Sequence, residues 1–263
     1  MGNLIDYKAE DGVGVITLND PPANTYTYEM NRELDDAILA ARMDDDVHVI
    51  VLRGEGEKFF SAGANIKMLS EVTPGFKYFF CLHANETLLR LEHTPKLVIA
   101  ALNGHCVGGG LEIAMAADMR IAKKDAGKIG LPEVTLGVLP GTGGTQRLSR
   151  MVGKSKAIQM MAEGNLMEFE DAEKLGLVNY VWDDEGKAWW DKVVEYAKSF
   201  VPPAKASKAV GRIKRSVQSG CELPMESGLA IERELQQQLF QSEDAKEGLG
   251  AYVGKRTPEF SGR

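Results

Sequence analysis

The stretch from Lys96 to Met115 constrains the fold more than any other. Leu97-Val98-Ile99-Ala100-Ala101-Leu102 is apolar without a break, the mark of a strand covered on both faces. It delivers the chain to Gly108-Gly109-Gly110, followed by Leu111-Glu112-Ile113-Ala114-Met115. A helix that starts in those glycines points free N–H groups and its positive dipole end outward, and glycine lets a ligand approach them closely. Upstream, Val13–Leu18 reads as a strand. Thr27 caps a helix with Glu29 and Met30 in its first turn and a stripe of Leu34, Ile38 and Ala41, and His48–Leu52 is the next strand. Strand–helix–strand order predicts an α/β fold with helices over sheets.

The rest of the chain continues in that style. Thr73-Pro74-Gly75 breaks the pattern before a helix expected from about Lys77 to Glu92. Asp118–Ala122 is a further strand, and the chain after Arg147 reads as helical to about Glu163. A helix from about Lys187 to Phe200 ends at Pro202-Pro203, the one convincing internal boundary. Residues 1–200 are therefore expected to form the main unit and 201–263 a charged helical region, with Leu229, Ile231, Leu235 and Leu239 as an apolar face.

Composition narrows the class. No apolar run approaches the ~20 residues that a membrane helix needs. No basic stretch precedes an apolar one at the N-terminus, so no signal peptide is expected. Met1-Gly2 fails as an acylation motif because position 6 is Asp6. Cys81, Cys106 and Cys221 are odd in number and widely spaced, which predicts a reduced, cytoplasmic protein without a disulfide framework or metal site. His48, His83, His93 and His105 also lack ligand spacing. His105 reads as structural, and Cys106 as a small buried hydrophobe. A net charge of −7 argues against general affinity for nucleic acid or anionic membrane.

Two glutamates stand out. By residue type alone, a glutamate in a first helical turn complements the dipole, and Glu133 after Pro132 is an ordinary helix opening. Glu112, however, sits among Leu111, Ile113, Ala114 and Met115. Apolar surroundings raise a carboxyl pKa and so tune it for proton transfer. Pro140-Gly141-Thr142-Gly143-Gly144 follows Glu133 closely. Carboxyl groups beside glycine-exposed N–H donors are the components of an oxyanion hole with an acid–base pair.

Several co-linear motifs carry a resemblance over nearly the whole chain. They are Phe59-Phe60-Ser61-Ala62-Gly63-Ala64-Asn65-Ile66-Lys67, Asn103 to Glu112, Gly130-Leu131-Pro132-Glu133, Pro140 to Arg147, Phe240 to Gly248, and Lys255 to Phe260. In this order they resemble the crotonase, or enoyl-CoA hydratase/isomerase, family. The resemblance implies a spiral of ββα turns with a C-terminal helical trimerisation region, and a homotrimer or dimer of trimers. It implies Glu112 and Glu133 as the catalytic pair, Ala64 and Gly109 as oxyanion donors, and Gly141 with Pro132 as water- and substrate-positioning residues. It also implies Ala62, Asn65, Ile66, Lys67, Phe240 and Lys255 as contacts to coenzyme A, which enters as part of the substrate, with no other cofactor and no metal. The glutamates are 21 residues apart, one more than the family pattern. The extra residue is expected in the turn Asp125-Ala126-Gly127-Lys128. Asn65 stands where the family usually has aspartate, and Tyr26 and Tyr28 where it usually has small aliphatics.

Hydration of an enoyl-CoA thioester is the implied reaction, with Glu133 delivering the α proton and Glu112 activating water. A Δ3,Δ2-enoyl-CoA isomerase, a thioester hydrolase and a C–C lyase use the same fold. A more distant alternative is RNA binding through Lys205, Lys208, Arg212, Lys214 and Arg215. The acidic chain favours reading that cluster as a solvated helix face.

Overall fold

A computed structural model of the protein describes residues 4–263; the Met1-Gly2 pair weighed above lies outside them. In chain order come β1 (Ile5–Glu10), β2 (Val13–Leu18), α1 (Tyr28–Met43), β3 (Val49–Gly54), β4 (Phe59–Ser61), α2 (Ile66–Glu71) and α3 (Pro74–His93). Then follow β5 (Leu97–Leu102), β6 (His105–Val107), α4 (Gly109–Met115), β7 (Met119–Lys123) and β8 (Lys128–Gly130), with a 3-10 turn at Glu133–Leu136. After it come α5 (Gly144–Val152), α6 (Lys154–Glu163), β9 (Met167–Glu168), α7 (Phe169–Lys174), β10 (Tyr180–Trp182) and α8 (Gly186–Lys198). Three helices close the chain: α9 (Ser207–Gly220), α10 (Met225–Phe240) and α11 (Glu243–Gly254).

The strands divide between two sheets. The larger has the order β1-β2-β3-β5-β7-β10 and the smaller β4-β6-β8-β9. Within them β2-β3-β5-β7-β10 and β4-β6-β8 are parallel. Each of β3, β5 and β7 is followed directly by a strand of the small sheet, so three turns of a ββ spiral stack in register. The corners are tight: a Cβ on Gly104 would lie 2.4 Å from the Lys58 backbone, and one on Gly127 2.4 Å from the His105 nitrogen. Asn103 stitches two turns together, accepting from Gly54 N and donating to the Gly54 and Gly56 carbonyls. One core fills the space between the sheets and α1, α3 and α4, and a second lies between the large sheet and α8.

Several expectations are corrected. Thr73-Pro74 opens α3 instead of breaking the chain. The Thr73 hydroxyl accepts from Phe76 N, and Pro74 occupies the first helical position, where its missing N–H costs nothing. The helix expected up to Glu163 is two helices, divided at Gly153 with φ +83°. The basic cluster is not one solvated face. Lys214 is buried, pairs with Asp118 at 2.9 Å and donates to the Leu91 and Lys96 carbonyls, so it fastens α9 to the core. No residue of α10 is buried within the chain. No helix among the described residues is long and apolar enough to cross a membrane.

Candidate active site

The three turns of the spiral each deliver one part of the site, past the C-terminal ends of β4, β6 and β8. This is where parallel strands leave a crevice.

After β4 the chain runs through Gly63 and Ala64. Ser61 Oγ donates to Asn24 O and accepts from Gly63 N. Tyr26 then brackets Ala64: its N–H donates to Gly63 O at 3.0 Å, and its carbonyl accepts from Asn65 N at 3.0 Å. In such a parallel bridge the residue between the two bonds has its own N–H turned away. The Ala64 N–H donates to no described residue. Asn65 Oδ1 accepts from Met68 N and caps α2. Asparagine therefore does here the capping work that an aspartate would do, and α2 places Ile66 and Lys67, both exposed, next to Ala62–Asn65.

After β6 the chain turns at Gly108, with φ +55°, into the buried seven-residue α4. Gly109 N opens this helix, and it too donates to no described residue. A Cβ on Gly63 would lie 2.7 Å from the Gly109 nitrogen, so the Ala64 loop and the start of α4 are in contact. Arg120, itself buried, donates to the Ala114 and Ala117 carbonyls and steadies the other end of α4.

Glu112 is 2% exposed. Its Oε1 accepts from Thr142 N and from Gly144 N, both at 2.7 Å. Burial pushes its pKa up; the Gly144 and Thr142 N–H groups, the Arg147 charge and the Thr142 side chain oppose this in part. Arg147 is fixed by a two-pronged pair with Glu92 on α3, both bonds at 2.7 Å, and donates to Thr142 O at 3.0 Å.

After β8, Glu133 begins the 3-10 turn. The turn at Asp125–Gly127, with Asp125 at φ +56°, connects β7 to β8. The Glu133 carboxyl lies near the start of α4: a Cβ on Gly108 would be 3.1 Å from its Oε1. Its Oε2 is buried and has no partner among the described residues. Burial is the main cause that raises its pKa to about 7; the Glu112 charge adds to the shift, while its own backbone and Lys77 oppose it. A carboxyl poised near neutrality exchanges protons readily in either direction.

Helix α3 lies over this cluster. The Phe80 ring packs at a tilt against Tyr26, with centroids 5.8 Å apart, and Cys81 Sγ would be 3.3 Å from a Cβ on Gly141. A cavity of about 780 Å³ borders the site at Pro140, Gly141 and Gly143, although neither glutamate lines it. Pro132 immediately precedes Glu133. Phe240, at the end of α10, and Lys255, after α11, are exposed on the C-terminal helices and do not join the cluster within one chain. His105 accepts from Lys128 N through Nδ1, and Cys106 is fully buried with its thiol pKa raised by burial; both are structural.

The sequence matches the family described as enoyl-CoA hydratase/isomerase over residues 8–263. The chain belongs to this family. It is 37% identical to a probable enoyl-CoA hydratase of Bacillus subtilis over 263 residues, 99% of each chain. It is 37% identical to the short-chain-enoyl-CoA hydratase of Clostridium acetobutylicum, covering 98% of this chain and 97% of that one. The crystal structure of an enoyl-CoA hydratase from Geobacillus kaustophilus superposes with a TM-score of 0.96 at 43% identity, covering 100% of this chain and 98% of the other. The crotonase-type fold and the enzymatic character of the chain follow from these matches.

Four residues of the cluster carried no assigned role at the level of sequence. Glu92 and Arg147 are 55 positions apart, and no local pattern announces their pairing. Thr142 lies within the glycine-rich Pro140 to Arg147 motif, where its residue type alone signals no role. Tyr26 stood out only as an aromatic where the family usually has a small aliphatic.

Proposed function

We propose that this protein is an enoyl-CoA hydratase that adds water across the 2,3 double bond of an enoyl-CoA thioester to give a 3-hydroxyacyl-CoA. The observation that carries the reading is the convergence of two carboxyls of raised pKa, Glu112 and Glu133, beside the undonated N–H groups of Ala64 and Gly109. Water attacking the β carbon pushes charge onto the thioester oxygen. Two amide N–H groups aimed at that oxygen stabilise it by about 3–4 kcal/mol per donor.

The hydrogen bonds support a division of the proton roles. Both N–H groups that orient Glu112 reach the same oxygen, Oε1, which leaves Oε2 to take a proton from the attacking water. Glu133, with an unpartnered oxygen and a pKa of about 7, supplies the proton to the α carbon. Gly141 and Pro132 shape the walls on either side. Ala62, Asn65, Ile66 and Lys67 receive the coenzyme A end, with Phe240 and Lys255 contributed from a neighbouring chain of a trimer or a dimer of trimers. An acyl-CoA-degrading role in the cytoplasm fits this chemistry.

Crotonyl-CoA tests the reading. Loss of the enoyl-thioester absorbance should accompany formation of 3-hydroxybutyryl-CoA, with one deuterium at the α carbon when the reaction runs in deuterium oxide. Double-bond migration in a 3-enoyl-CoA with no hydration of crotonyl-CoA would instead identify an isomerase.

A further inference from the structure

We infer that Tyr26 is a positioning residue that holds Glu112 and both oxyanion donors in one rigid unit, through its hydroxyl to Thr142 and its ring against Gly109. The inference rests on the hydratase reading for its kinetic consequences, but its geometry stands alone.

Tyr26 is 2% exposed, and its hydroxyl lies 3.0 Å from Thr142 Oγ1. Thr142 is 3% exposed, and its backbone N–H donates to Glu112 Oε1 at 2.7 Å. A phenol on one loop therefore fixes the residue that orients a carboxyl on another element, 116 positions along the chain from Tyr26 to Thr142. The ring performs a second task. A Cβ on Gly109 would meet Tyr26 Cε1 at 2.3 Å and its hydroxyl oxygen at 2.4 Å, so the ring is seated directly on the first residue of α4. The Tyr26 backbone performs a third through its bonds to Gly63 and Asn65, which flank Ala64. Phe80 closes the far side of the ring at 5.8 Å. A buried phenol costs free energy unless its hydroxyl is bonded. A leucine would fill much of the same space, so the hydroxyl needs a reason beyond packing, and the Thr142–Glu112 link supplies one.

The direction of the effect follows from this link. Without the phenol, Thr142 is held less firmly, its N–H stabilises ionised Glu112 less well, and the proton affinity of Glu112 rises. The other charged or titratable groups around this network are Arg147 from α5 with its partner Glu92 from α3, Glu133 from the turn after β8, and Cys81 and Lys77, also from α3. Tyr26→Phe leaves all of them in place and keeps the ring on Gly109.

The test combines kinetics with a measurement that needs no turnover. Tyr26→Phe and Thr142→Val should each lower kcat on crotonyl-CoA about tenfold, with KM within about twofold, and move the acid limb of the pH profile upward. The double variant should be no slower than the worse single variant, because both break one link. Thr142→Ser should recover most of what Thr142→Val loses. In parallel, the infrared carbonyl band of the protonated Glu112 carboxyl, identified by its absence in Glu112→Gln, should titrate at higher pH in Tyr26→Phe by about half a unit or more. A Tyr26→Phe protein with unchanged Glu112 titration overturns the inference, and so does a double variant about a hundredfold slow. If the wild type does not hydrate crotonyl-CoA, the hydratase reading fails while the infrared titration still decides the role of Tyr26.

Discussion

Gly109→Ala should disable the site without unfolding the protein. The new methyl group would sit 2.3 Å from Tyr26 Cε1, against an ordinary carbon–carbon contact of about 3.5–4.0 Å. Something must therefore move by more than about 1 Å. The tyrosine is the less mobile partner, because its backbone is tied to Gly63 and Asn65, its hydroxyl to Thr142 and its ring to Phe80. The first turn of α4 moves instead, and it carries both the Gly109 N–H and Glu112. A displacement of about 1 Å costs on the order of 10²-fold, and loss of one oxyanion donor about 10²–10³-fold in kcat. The two losses share one cause, so kcat should fall by about 10²–10³-fold with KM within about threefold. Overpacking should cost about 1–3 kcal/mol of stability, which thermal unfolding followed by circular dichroism would register. Adding Tyr26→Leu removes the colliding ring atoms and should return part of the lost kcat. A Gly109→Ala enzyme with kcat within about threefold of wild type would refute the assignment of this N–H to the oxyanion.

Other consequences can be checked separately. Because Glu133 must be protonated to serve the α carbon, the rate should decline as pH rises above about 7, and Glu133→Gln should abolish that alkaline limb along with most activity. The same raised pKa means that the folded protein binds more protons than the unfolded chain between the ordinary carboxyl range and about 7, so stability falls as pH rises through that window. Glu133→Gln should therefore stabilise the fold at pH ~8, by about 1–2 kcal/mol after allowance for its partial exposure, and have little effect at pH ~4. Lys214→Met strands the Asp118 carboxylate and should cost about 3–5 kcal/mol in urea unfolding. Arg147→Met frees Glu92 and the Thr142 carbonyl and should lower kcat about tenfold with the fold retained.

The legibility of this chain in its sequence depended on whether the information was local. The apolar run Leu97–Leu102 and the Thr27 cap each state their structure within a few residues, and both appear as read. The glycine run that opens α4 and places Glu112 in its first turn is equally local. Where punctuation has two meanings, the sequence misled. Proline after threonine can stop a chain or start a helix, and Thr73-Pro74 starts α3 because the threonine hydroxyl caps it. Charge was also ambiguous. Lys214 looks like its neighbours Arg212 and Arg215, and only the fold brings Asp118 and two carbonyls to its ammonium group. The supports of the site were the least legible. Tyr26–Thr142 and Glu92–Arg147 join residues far apart in the chain, and a single sequence carries no sign of which distant side chains will meet.

The most direct test of the two-carboxylate account is kcat/KM for crotonyl-CoA hydration in wild type, Glu112→Gln, Glu133→Gln and the double variant. The account predicts a robust wild-type rate and a fall of about 10³-fold or more in each single variant. It also predicts that the double variant is little worse than either, since the two groups act on one transition state. A Glu112→Gln or Glu133→Gln enzyme that hydrates crotonyl-CoA at close to the wild-type rate would contradict it.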